Sequence, residues 1–149
     1  MDFRLVELER WLVTQFPALA CTLAPASADA SFRRYFRARL ADGRSFIVMD
    51  APPDKEDCRS FLQVAALFAA AGAHVPAIHA QDLGAGLLLL EDLGAATYLD
   101  LLRQGQDPQP LYAAATDTLI RIQLASRPGA LPEYDRALLK RELNLFPDW

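Results

Sequence analysis

Residues 26–53, ASADASFRRYFRARLADGRSFIVMDAPP, decide how the rest of this chain is arranged. Phe32 to Leu40 is rich in aromatic residues, Asp42-Gly43 is a pair favoured where a turn needs positive φ, and Ser45 to Asp50 is a short apolar run. The stretch therefore predicts a hairpin, entered through the small-residue loop Ala26–Ser31. Arg33, Arg34, Arg37 and Arg39 interrupt its first strand. Part of that strand must face water or an anionic ligand rather than a dry core.

At 149 residues the chain has the length of one ordinary domain, enough to bury about two-thirds of its unfolded surface. A hydrophobic content of 52% with 23% charged residues is globular, and no apolar run approaches the roughly 20 residues that span a bilayer. The start, MDFRLVELERWLV, mixes acids and bases among its apolar residues, unlike a secretory signal. These features read as a cytoplasmic protein with no membrane partner. A net charge of -4 argues against a general nucleic-acid binder, which needs a basic face. Cys21 and Cys58 are expected to stay reduced in such a compartment. His74 and His79 have no cysteine or carboxylate at ligand spacing, so no metal site is expected there.

Working outward from the hairpin, Leu5, Leu8, Leu12 and Phe16 share one face of an expected helix, Asp2–Phe16, stopped by Pro17. Cys21–Ala24 reads as a brief strand ended by Pro25. After Pro52-Pro53, Asp54 or Asp57 can cap a helix to about Ala71, with Phe61, Val64, Ala65 and Phe68 as its apolar stripe. Ala77–Gln81 and Leu87–Leu90 form a second hairpin, and continuous leucine predicts that the latter strand is central and buried on both faces. Helices are expected at Thr97–Arg103, from about Pro110 with Leu111, Ala115, Leu119 and Ile122 buried, and at Asp135–Leu145. The order predicts an α+β fold with a mainly antiparallel five-stranded sheet. Leu143, Leu145, Phe146 and Trp149 make an apolar tail with nothing after it to cover it, which suggests an interface and further polypeptide.

With that order in hand, SADASFRRYFR, VMDAPPDKEDCRSFL, LLLLEDLGAATYLDLL and the closing RELNLFPDW together resemble the small lobe of kinases of the aminoglycoside phosphotransferase type. Within that family the likeness is greatest to the bacterial anomeric kinases of N-acetylmuramate and N-acetylglucosamine. The resemblance implies a nucleotide-binding lobe at residues 1–90, a hinge at 91–94, and the start of a helical lobe at 95–149. It further implies that ATP with Mg²⁺ and an amino sugar are the substrates of a longer parent. Ser27, Asp29 and Ser31 would lie in the loop over the phosphates, where small residues let backbone N–H groups approach oxygen anions. Arg33 and Arg34 would reach phosphate or the second lobe. Val48 would face the adenine, and Asp50 would stand where the family carries a lysine, with Arg59 as its possible ion-pair partner. Glu91 C=O and Leu93 N–H would meet the adenine edge, with Asp92 between them.

Phosphoryl transfer also needs an aspartate to orient the acceptor hydroxyl and groups to hold Mg²⁺. The family's catalytic loop and acidic magnesium motif have no counterpart here and are expected beyond Trp149. Three readings follow: part of an amino-sugar kinase, a non-catalytic adenine-nucleotide-binding module, or a protein-interaction module that buries its tail against a partner or a second copy.

Overall fold

The computed structural model describes residues 2–28 and 31–145. The central hairpin forms as the Asp-Gly pair requires: Gly43 adopts φ 90°, Leu40 N–H donates to Arg44 C=O, and Gly43 N–H donates to Leu40 C=O. Its strands, β2 (Arg34–Leu40) and β3 (Ser45–Asp50), are the middle of a five-stranded sheet completed by β1 (Cys21–Ala28), β4 (Ile78–Asp82) and β5 (Leu87–Glu91). The spatial order is β1-β2-β3-β5-β4, and every neighbouring pair is antiparallel. The leucine run is thus interior to the sheet, with Leu87 to Leu90 all buried. This bears out the reading of continuous leucine.

Side chains alternate between two faces. One face carries Ala38, Leu40, Phe46, Val48, Leu87 and Leu89, and is covered by α1 (Phe3–Gln15), which inserts Leu8 and Leu12. Asp2 caps that helix by accepting from Leu5 N–H. The other face carries Met49, Leu88 and Leu90, against which Phe61 and Leu62 of α2 (Cys58–Ala70) pack. Asp57 is its cap. At the end of β3, Gly86 lies so close to the chain that a Cβ there would stand 1.9 Å from Ala51 C=O, which only glycine tolerates.

The first strand is longer than Cys21–Ala24. It runs through Pro25 to Ala28, with the register shifting between Pro25 and Ser27. Pro25 is accommodated because β1 is an edge strand, where a missing donor leaves no neighbour unpaired, and because a bulge follows it. Helices α3 (Tyr98–Arg103), α4 (Pro108–Ala125) and α5 (Arg136–Asn144) come after the sheet. The expected buried face of α4 is not buried: Leu119 is 53% exposed and Ala115 is exposed, while Leu111 and Ile122 are half-covered. Periodicity identifies which side of a helix is apolar, not whether a partner covers it. Two polar ties hold this region to α2 and the turn after it, Gln63 Nε2 to Ala130 C=O at 2.9 Å and Arg121 Nη1 to Gly72 C=O at 3.0 Å. No helix among the described residues is long and apolar enough to cross a membrane.

Candidate functional site

Where β5 leaves the sheet, the face opposite α1 opens into a cleft of about 360 Å³. Its walls include Tyr35, Ile47, Phe61 and Leu90, and its rim is the chain from Glu91 to Ala95. The strand registers explain this set. Tyr35 lies opposite Met49, Arg37 opposite Ile47, and Ile47 opposite Leu90, so one pleat presents a tyrosine, an arginine and two aliphatic side chains side by side. Apolar walls beside an exposed run of backbone suit a flat heteroaromatic ligand that is held by stacking and by main-chain hydrogen bonds.

The rim is held by charge. Arg37 Nε donates to Asp92 Oδ2 at 2.7 Å and Arg37 Nη2 to Asp92 Oδ1 at 3.0 Å, a bidentate pair. Ser45 Oγ also donates to Asp92 Oδ2, and Gly94 N–H donates to Oδ1 at 3.0 Å. The Arg37 hydrogen bonds lead in holding the Asp92 carboxyl down at about 2, aided by Ser45 and the Gly94 N–H against an opposing effect of burial. Glu91 is engaged differently. Its side chain accepts from Ala77 N–H at 3.1 Å and lies 3.7 Å from His74 Nε2.

The residues predicted from sequence fall into three groups. Ser27, Glu91, Asp92 and Leu93 line this cleft together, Ser27 by lying on β1 opposite Tyr35 rather than in a loop. Ser31 and Arg33 lie at the far end of β2, where Ser31 Oγ accepts from Arg33 N–H at 3.2 Å and Arg33 pairs with Glu56 at 3.1 Å. Asp29 lies outside the described residues, as do Phe146 and Trp149 of the apolar tail.

Val48 and Asp50 belong to the third group, on the wrong face. Val48 is fully buried against the α1 side of the sheet, and the cleft residue is its neighbour Ile47. A strand register misjudged by one residue turns every side chain to the opposite face. Asp50 follows the same alternation. It is fully buried and clamped by two arginines, Arg34 from β2, whose Nε lies 2.9 Å from Oδ2, and Arg4 from α1. Arg59 is not its partner, because that guanidinium turns back onto its own helix cap, Asp57, at 3.0 Å. The open question over the hairpin arginines is thereby answered in part. Arg33, Arg34 and Arg37 face neither water nor a ligand alone but each takes a carboxylate of this chain.

Tyr35, Arg37, Ser45, Ile47 and Phe61 were missed as site residues. For the four strand residues the signal available was alternation counted from the hairpin turn, since residues opposite one another across a hairpin share a face, whereas Phe61 was legible only as part of the apolar stripe of its helix. Among the described residues no three His, Cys, Asp or Glu side chains gather to hold a metal. The two carboxylates at the rim are already committed to Arg37, Ser45 and backbone N–H groups. This donor set does not fit Mg²⁺. Cys21 and Cys58 are free thiols.

The sequence model of the phosphotransferase enzyme family matches residues 22–149. The chain is similar to the N-acetylmuramate/N-acetylglucosamine kinase of Pseudomonas aeruginosa, at 52% identity over 99% of this chain and 46% of that protein. Proteins of the same name from Pseudomonas putida and Neisseria meningitidis are 48% and 44% identical, over 99% and 98% of this chain and 46% and 44% of their own lengths. The chain thus spans less than half the length of these relatives.

Proposed function

The chain belongs to the phosphotransferase enzyme family, and from that premise we propose that it supplies the nucleotide-binding lobe of an ATP-dependent amino-sugar kinase. The observation that carries the reading is the cleft in which Tyr35, Ile47, Phe61 and Leu90 meet the backbone of residues 91–95. In this reading residues 1–90 are the nucleotide lobe, 91–94 the hinge, and 95–149 the start of a helical lobe. Adenine sits between Ile47 and the hinge, with Glu91 C=O and Leu93 N–H along its edge. Ser27, Ser31 and Arg33 would meet the phosphates, and Asp29, outside the described residues, is assigned with them on the resemblance alone. The acceptor is an amino sugar such as those the relatives are named for, and Mg²⁺ would accompany ATP through ligands supplied by other residues. No phosphoryl-transfer step is assigned to this chain's own side chains. The exposed leucines of α4 and α5, among them Leu124 at 83% and Leu143 at 65%, favour burial against further polypeptide or a second copy.

The test is calorimetry of the chain with adenosine and with ATP. Base contacts all lie within the chain whereas metal-mediated phosphate contacts do not, so adenosine is expected to bind nearly as well as ATP, both weakly. Ile47→Phe fills the cleft and should abolish both. A folded chain that takes up neither ligand at millimolar concentration would overturn the reading.

A further inference from the structure

The turn that follows β5 is fixed by side chains from two other strands. Asp92 accepts from Arg37 twice, from Ser45 and from Gly94 N–H, and Arg37 Nη2 reaches past it to Gly94 C=O at 2.9 Å. Both main-chain polar groups of Gly94 are therefore engaged by one ion pair. Gly94 itself adopts φ 96°, a conformation that other residues avoid. Leu93 lies at the apex between the two clamped residues, 54% exposed and on the rim of the cleft. Arg37 arrives from mid-β2 and Ser45 from the first position of β3, so the geometry of the turn is dictated by the sheet.

We propose that Arg37 is a positioning residue: through Asp92 and Gly94 it presets the main-chain edge around Leu93 that a ligand in the cleft must match. Only the identity of that ligand, an adenine base, rests on the nucleotide reading. A preset edge binds more tightly because it is not ordered at the moment of binding. It also discriminates between bases, since a donor or acceptor held in place is left unpaired by the wrong partner. Arginine is required because only a planar fork can serve two carboxylate oxygens and a carbonyl at once.

The experiment compares wild type with Arg37→Lys, which keeps the charge and loses the fork. Adenosine and inosine affinities are measured by calorimetry, and amide exchange is followed at Gly94, whose N–H the clamp holds. Adenosine binding should weaken at least tenfold, its advantage over inosine should narrow, and exchange at the Gly94 amide, which Asp92 holds, should rise at least tenfold while that of β3 and β5 stays unchanged. An ion pair that merely supports the fold would lower the melting temperature and leave the affinity of the folded protein and the base preference unchanged, which would overturn the proposal. If wild type binds neither nucleoside, the nucleotide reading fails and exchange alone decides. Acceleration confined to residues 92–94 upholds the clamp, and unchanged or uniformly faster exchange overturns it. Should Arg37→Lys not fold, Ser45→Ala removes one hydrogen bond to Asp92 and carries the same comparison.

Discussion

Asp50 and Asp92 stand near opposite ends of β3, each held by arginine, and they serve different faces of the same sheet. Asp50 closes β3 on the side covered by α1, has no exposure, and takes Arg4 and Arg34. Arg4 also donates to Ala85 C=O at 2.8 Å, so this clamp joins α1, β2, β3 and the β4–β5 turn. Asp92 lies across from the start of β3, its side chain 9% exposed, and joins β2 and β3 to the rim of the cleft. The chemistry is alike, and the face onto which each carboxylate projects separates a scaffold clamp from a site clamp. Residues 3–15 of α1 precede the stretch matched by the family, yet contribute Leu8, Leu12 and Arg4 to the lobe.

The largest expected effect breaks the scaffold clamp. Asp50→Ala removes the fully buried carboxylate from two arginines that are partly exposed and keep second partners, Glu7 for Arg4 and Asp2 for Arg34, so the loss should be about 2–3 kcal/mol, below that of a stranded buried charge. Urea unfolding near neutral pH should register that loss, while any protein that remains folded keeps wild-type affinity for adenosine because Asp50 is absent from the cleft. A loss under about 1 kcal/mol would mean that α1 and the β4–β5 turn are secured by apolar packing alone.

A second pair of substitutions sharpens the contrast between faces at adjacent residues. Val48→Ala removes two methyl groups from a fully buried site and should cost about 2 kcal/mol by lost burial and the cavity left behind. It should leave adenosine affinity unchanged. Ile47→Ala, at a half-buried position on the cleft, should cost less stability and weaken adenosine binding severalfold. Reversed outcomes in calorimetry and urea titration would restore Val48 to the adenine site.

That contrast also marks what could be read from sequence. The hairpin, the central leucine strand, the Asp57-capped helix and the α+β order follow from local signals: a positive-φ turn, continuous apolar residues, a cap and a helical stripe. The cleft-rim residues Glu91, Asp92 and Leu93 were legible because they directly follow the leucine run. What failed depended on a partner remote in sequence. Asp50 is neutralised by Arg4, 46 residues away, which no spacing on β3 or α2 announces, and Arg37 meets Asp92 across 55 residues. The cleft face was lost by one position on a strand where both faces are apolar, the case in which hydrophobic pattern cannot fix register. The α4 stripe was legible as apolar and misleading as core, since burial belongs to the assembly and not to the helix.

The smallest expected effect separates the clamps by acid. Asp92 titrates at about 2 in the folded protein, against an ordinary value of 3.8, so the unfolded chain takes up its proton first as pH falls. The stabilisation contributed by this carboxylate is complete above about pH 5, and is lost progressively as pH drops through the folded value near 2. Its size, allowing for screening by nearby solvent, is about 1 kcal/mol. Asp2, Asp42, Asp57 and Asp100 are also held below the usual carboxylate range, each led by a side-chain hydrogen bond, from Arg34, Arg44, Arg59 and Thr97 respectively. An acid titration of wild type alone would therefore mix their contributions. The difference in unfolding free energy between wild type and Asp92→Asn isolates the clamp at the rim of the cleft, because the other carboxylates are present in both proteins. That difference should be constant from neutral pH down to about 5 and then shrink steadily toward pH 2. A difference that does not change over this range would show that Arg37 and Ser45 stabilise the neutral amide of the variant as well as they do the carboxylate, and that the rim of the cleft is held by shape rather than by charge.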